Sequence, residues 1–260
     1  LLVLGAIFAF LRMPSNTPFW REIENFGHAP LFGCVALAIL ALVRIVLARF
    51  FSRPIHQYAA AFVLTTGLAA FSEYWQHLIG RDAEYRDLLN DIIGAFAFLA
   101  VWWTLDRSTQ TQSTPDRLRC WTMRVAAAAL LLIPAMPAII WGNVIMHRNS
   151  ILPRLGSFDS VLERKLFETR DAHLEAVTPP AYWTPTPEGK VGRVTFFPAT
   201  YPSLLFSYVY PRWEGYHSLS FDVFSEHDST VNMAFRIYDA GSTGCYPDRY
   251  NNVFKITPGL

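Results

Sequence analysis

Residues 71–96 read FSEYWQHLIGRDAEYRDLLNDIIGAF. Two apolar runs close here on a polar turn, and polar residues keep helical spacing on both sides of it. Glu73, Gln76, His77 and Gly80 fall at i, i+3, i+4 and i+7, and Asp87, Asn90, Asp91 and Gly94 repeat that spacing. Each set therefore shares one helix face. A carboxylate such as Glu73 inside an apolar run is costly unless it is paired or hydrated, so it marks a functional site by default. Arg81 and Arg86 are its expected partners, because guanidinium forks suit carboxylates and phosphates.

Outward from this stretch, the first part of the chain is a series of apolar runs. They cover Leu1–Leu11, Ala29–Phe51, Tyr58–Ile79, Leu88–Leu105 and Trp121–Ile145, with a polar loop expected over 13–27. A membrane-spanning helix needs about 20 residues, so the first run reads as the end of a helix whose beginning is missing. Trp20, Trp75, Trp102, Trp103, Trp121 and Trp141 lie mostly near run ends, as an interfacial aromatic belt places them. Pro134 and Pro137 are expected to kink the last helix, which a membrane bundle tolerates. The expected partner of this part is the lipid bilayer. Cys34 reads as a buried small hydrophobe.

Arginines set the expected orientation. Arg44, Arg49 and Arg53 flank one link, and Arg107, Arg117, Arg119 and Arg124 another, whereas the opposite side has Arg12, Arg21, Arg81 and Arg86. The richer side should be cytoplasmic. The chain is thus expected in a bacterial inner membrane, with the 71–96 turn and everything after residue 146 outside the cytoplasm. A net charge of +1 gives no reason to expect nucleic acid as a partner.

After residue 146 the pattern changes. A helix-like stretch, Ser157–Thr169, leads into a Pro-rich link with Pro179, Pro180, Pro185 and Pro187. Strand-like alternation follows in Val191–Phe197, Ser203–Tyr210, Leu219–Phe224 and Val231–Tyr238. The expected architecture is an α-helical transmembrane bundle of about five helices over residues 1–146, then a linker with a short helix over 147–190. A mainly antiparallel, jelly-roll-like β-sandwich over 191–260, cut short at its C-terminus, completes it. Within that sandwich Tyr210, Trp213 and Tyr216 surround Pro211-Arg212-Trp213-Glu214-Gly215-Tyr216, and their faces could stack on sugar rings. The strand pattern of Tyr216–Leu260 loosely resembles carbohydrate-binding and galactose-binding-like modules.

The polar faces carry a second resemblance. Glu73-x-x-Gln76, then Arg81, then Asp87-x-x-x-Asp91-x-x-Gly94, with Glu24-x-x-x-His28 upstream, resembles the VanZ-like family of small bacterial membrane proteins over about residues 1–105. Asp91 stands where that family usually has Asn. The resemblance implies a helical membrane fold and a link to glycopeptide resistance at the cell wall; it implies no agreed reaction.

Three readings of the cluster follow: an interhelical polar clamp; a site for a polar headgroup or phosphate formed by His28, Glu73, Gln76, Arg81, Arg86, Asp87 and Asp91; and, third, a metal site from His28, Glu73, His77 and Asp91. No phosphate loop, Ser-His-Asp order, cofactor motif or metal-ligand spacing is present, so neither cofactor nor metal is expected and the question of enzymatic activity stays open. The leading functional expectation is an envelope membrane protein whose outer β-sandwich binds a glycan or cell-surface polymer. The competing one is a membrane enzyme or transporter acting on a lipid-linked or phosphorylated envelope precursor, with a bearing on glycopeptide resistance.

Overall fold

A computed structural model describes residues 17–78, 84–110, 117–183, 189–239, 241–243, 245 and 248–259. The expected helix over Leu1–Leu11, and Arg81 in the 71–96 turn, lie outside these residues. The chain divides into two compact units between Ile145 and Met146.

The first unit is helical: α1 (Pro18–Val46), α2 (Pro54–Leu78), α3 (Tyr85–Leu105), the short α4 (Arg107–Gln110) and α5 (Arg117–Ile151), which continues past the unit boundary. α1, α3 and α5 are long and apolar enough to cross a membrane. α2 has the length, but Thr65, Thr66, Glu73, Gln76 and His77 dilute its apolar content. Residues 18–27, expected as loop, are instead the opening turns of α1. Pro18 sits at the first helical position, where its fixed φ and missing N–H cost nothing. α5 stays helical through Pro134 and Pro137.

Glu22–Arg86 and Arg44–Asp106 contacts mark the two ends of the α1–α3 pair, so these helices run parallel. Tyr58 reaches Asp106 from α2, which runs antiparallel to both. Arg124 reaches Thr104, and Gly142 faces the Phe19 ring, so α5 is also antiparallel to α1 and α3. The core between α1, α2 and α3 is built from Ala36, Leu40, Tyr58, Ala61, Ala95 and Leu99. Small side chains let helix backbones approach closely, the usual packing where lipid offers no hydrophobic drive between helices. Large apolar residues such as Ile45, Val63, Phe71 and Trp75 lie outside. Cys34 is exposed on α1, which corrects its expected burial.

The second unit opens with the end of α5, then a 3-10 turn (Val161–Leu166), and its described residues hold six strands: β1 (Phe167–Arg170), β2 (Ala172–Val177), β3 (Val191–Phe196), β4 (Ser203–Phe206), β5 (Val231–Ile237) and β6 (Tyr250–Ile256). Strand pairing therefore begins within the stretch expected as linker. The strands form three antiparallel two-stranded sheets, β1–β4, β2–β3 and β5–β6, and no closed sandwich is seen among the described residues. Leu219–Phe224 is not a strand. Its alternation reflects side-chain packing without a ladder: Phe221 stacks on Phe235 at 4.9 Å and meets Phe254 edge-on at 6.5 Å.

Candidate functional site

Helical periodicity puts Arg86, Asn90, Asp91 and Gly94 where α3 faces α1, and the contacts climb in register. Arg86 pairs with Glu22 at 2.7 Å. Asn90 Nδ2 donates to the Asn25 carbonyl at 3.0 Å. His28 Nδ1 lies 3.1 Å from Asp91 Oδ1, and His28 Nε2 lies 3.9 Å from Asp87 Oδ2. One turn on, a Cβ added to Gly94 would fall 1.9 Å from the Ala29 carbonyl oxygen. Glycine is required here because only its bare Cα lets the α1 backbone come so close. That approach seats His28 between the two aspartates.

α2 supplies the third wall. One ligand atom each from His28, Glu73 and Asp91 lie within 4.8 Å of one another. Glu73 is 8% exposed and Asp91 is 1% exposed. Glu73 Oε2, Asp87 Oδ1 and Asp91 Oδ2 are buried and have no hydrogen-bond partner among the described residues. Gln76 Nε2 approaches Glu73 Oε1 at 3.5 Å, the limit of a hydrogen bond. Glu73 also lines an open cleft of about 250 Å³ with Tyr74, His77, Glu84, Tyr85 and Leu88.

The structure thus gathers His28, Glu73, Gln76, Asp87 and Asp91; spacing led one to expect Glu73 with Gln76 and Asp87 with Asp91, and the VanZ-like resemblance added His28. His77 lines the cleft rather than joining the three-residue group. Arg86, expected to serve the carboxylates as a headgroup ligand, is held by Glu22, whose place in α1 was hidden by reading residues 13–27 as loop. Among the described residues, what remains is three carboxylates around one imidazole, an electronegative group.

Two further polar centres escaped sequence reasoning. At the far end of the helical unit, Asp106 caps α3. Its Oδ1 accepts from the Ser108 N–H at 3.0 Å and the Ser108 hydroxyl at 2.8 Å; its Oδ2 accepts from Tyr58 at 2.9 Å and pairs with Arg44. Burial alone would raise the Asp106 pKa, but hydrogen bonds from Arg44, Ser108 and Tyr58 bring it down to about 2.

In the second unit Glu163 is 1% exposed. It accepts from the Ser157 and Phe158 N–H groups at 2.6 and 2.7 Å and from the Ser157 hydroxyl at 2.8 Å, and His147 Nε2 lies 2.8 Å away. Burial opposes ionisation there too, yet these partners hold its pKa below the ordinary glutamate value.

The aromatic group of the second unit is only partly a platform. Trp213 and Tyr216 are exposed, joined by a turn in which the Tyr216 N–H donates to the Trp213 carbonyl at 3.2 Å. The Trp213 indole N–H donates to the Tyr210 carbonyl at 2.6 Å. The half-buried Tyr210 ring is covered by the Arg148 guanidinium, 5.8 Å from its centroid.

Fold and site together define a protein with membrane-capable helices, an interhelical histidine–carboxylate centre and a β-rich second unit. No family model, curated protein or solved structure matches the chain.

Proposed function

We propose that the chain is a multi-pass membrane protein of the bacterial cell envelope, acting through the His28–Glu73–Asp91 centre on the head of a lipid-linked envelope precursor. The observation that carries this reading is the set of buried carboxylate oxygens without partners, opening through Glu73 to a cleft flanked by Tyr74 and Tyr85. A carboxylate buried for structure alone finds its donors within the protein; these oxygens leave acceptor positions for a ligand. Sugar hydroxyls and amides can donate to them. Among the described residues a bare phosphate finds less to bind, because Arg86 already serves Glu22. The motif likeness to VanZ-like proteins and the Arg asymmetry support the envelope location, with the centre on the outer side of the membrane. No reaction is assigned.

The test is binding of a lipid-linked disaccharide precursor to the full chain in lipid nanodiscs. Glu73→Gln should weaken binding by about tenfold or more, the cost of one hydrogen bond to a charged group, while the protein stays monodisperse. Equal binding by wild type and variant, or none by wild type, sinks the reading.

A second reading keeps the β-rich unit as a glycan binder, outside the cytoplasm, and the exposed Trp213–Tyr216 pair favours it. Retention of the full chain on peptidoglycan, lost in Trp213→Ala, would support it; no retention on any cell-surface glycan would remove it.

A further inference from the structure

We propose that His28, Glu73 and Asp91 bind a divalent first-row transition-metal ion, with manganese and zinc as the best-matched ions. This deepens the reading above by naming what fills the centre, and it rests on that reading only for how the ion would be used.

Geometry carries the proposal first. The three side chains come from three helices, α1, α2 and α3, and bring one ligand atom each within 4.8 Å of one another. Ligands bonded at about 2.1 Å stand at most about 4.2 Å apart across an ion, so sub-ångström side-chain adjustments close the shell. The second observation is independent of spacing. Asp91, 1% exposed, and Glu73, 8% exposed, each keep a buried oxygen with no hydrogen-bond donor. Asp87 adds a third carboxylate beside the same imidazole. Among the described residues, three acidic groups round one histidine leave an excess of negative charge, and a cation relieves it where Arg86, held by Glu22, does not.

Ligand chemistry then narrows the ion. Carboxylates alone would suit magnesium or calcium, but imidazole favours the first-row transition metals. Three protein ligands would leave further coordination positions for an oxygen or nitrogen of a ligand, and Glu73, one of the three, lines the cleft. The ion would also bridge three helices that otherwise meet here over unpaired oxygens.

The experiment uses the full chain without a polyhistidine tag, purified in detergent, stripped with chelator and dialysed against manganese, zinc or magnesium chloride. Elemental analysis should find one manganese or zinc ion per chain and little magnesium, with a raised melting temperature. Loss of a direct ligand costs no less than loss of an outer partner, so His28→Ala and Asp91→Ala should each weaken uptake by about 10–100-fold or more. Should either variant fail to fold, X-ray absorption of the zinc-loaded wild type decides: an oxygen and nitrogen shell with one imidazole is expected. No stoichiometric ion in wild type, a shell without imidazole, or unchanged uptake in well-folded His28→Ala overturns the site. No precursor is present in these measurements. Precursor binding by a wild type that takes up no ion would overturn the metal alone; ion uptake without precursor binding would leave the metal and remove the precursor.

Discussion

Asp91 and Asp106 sit near opposite ends of the same helix, and they differ in one respect that matters. Every acceptor position of Asp106 is used: Ser108 twice, Tyr58, and Arg44 as counter-ion. Asp91 is the more buried of the two, yet among the described residues only His28 bonds to it and its Oδ2 has no donor. Asp106 ties helix ends together, and an interhelical polar clamp is realised there. Asp91 belongs to a centre whose valences are open. Glu163 in the second unit falls with Asp106, since backbone and side-chain donors surround it. Burial of a carboxylate therefore does not by itself distinguish a site from a strut. The count of filled acceptor positions does.

The sharpest way to break the Asp91 end is to separate the helices that form it. Gly94→Ala would place a methyl group 1.9 Å from the Ala29 carbonyl oxygen, which is backbone and cannot rotate away. Overpacking of this kind costs about 3 kcal/mol. It should lower the melting temperature in detergent and move His28 off Asp91, so that ion uptake falls with it. A Gly94→Ala chain with wild-type melting would mean that α1 and α3 do not pack as described.

The Asp106 end should respond to acid. Its folded pKa of about 2 lies below the value near 3.8 of the unfolded chain. Below that unfolded value the unfolded state binds the extra proton, so stability declines as pH falls. The contribution, about 2 kcal/mol, is present in full above about pH 5 and disappears towards pH 2. Asp106→Asn should remove this acid dependence from the helical unit. Glu163→Gln should do the same for the second unit, where the depressed pKa has the same sign. Unfolding followed between pH 6 and 2 checks both; an unchanged acid slope in Asp106→Asn would mean that its pairing with Arg44 is not made in solution.

Asp91→Asn should separate function from stability. The substitution keeps the shape and an acceptor for His28 while removing a buried, half-satisfied charge. Because asparagine keeps the hydrogen bond to His28, stability should shift by less than about 1 kcal/mol in either direction, the net worth of one ordinary hydrogen bond. Metal and precursor binding should nonetheless fall. A loss of stability comparable to that of Asp106→Asn would make Asp91 a strut as well.

Much of this centre was legible in the sequence. Local helical spacing put Glu73 with Gln76, and Asp87 with Asn90, Asp91 and Gly94, whereas Glu24 and His28 entered only through the VanZ-like resemblance. Pairings between distant segments were not legible: nothing in a single chain joins Arg44 to Asp106 or Glu22 to Arg86. Polar composition also disguised the start of α1, because charged residues that pair across helices look like loop residues when read alone. In the second unit, period-2 alternation found β3, β4 and β5 but overstated Leu219–Phe224, where side chains pack on β5 and β6 without backbone pairing. Alternation reports which side chains are covered. It does not report the ladder, nor whether sheets close on one another.

The smallest effect expected is also the one that best separates the two readings of the polar turn. Arg86 is 39% exposed and its partner Glu22 14% exposed, so their ion pair sits at the rim, where solvent screens it. Arg86→Ala should cost about 0.5 kcal/mol. Because the guanidinium is bound to Glu22 rather than directed at the carboxylate centre, metal uptake should stay unchanged and precursor binding should change by less than about threefold, the equivalent of that energy. If Arg86 instead carries an anionic headgroup, its loss would abolish precursor binding while melting barely moved. That outcome would turn the centre from one that gathers cations and hydroxyls into one that gathers phosphate, and Glu22 would become the residue that holds the arginine ready.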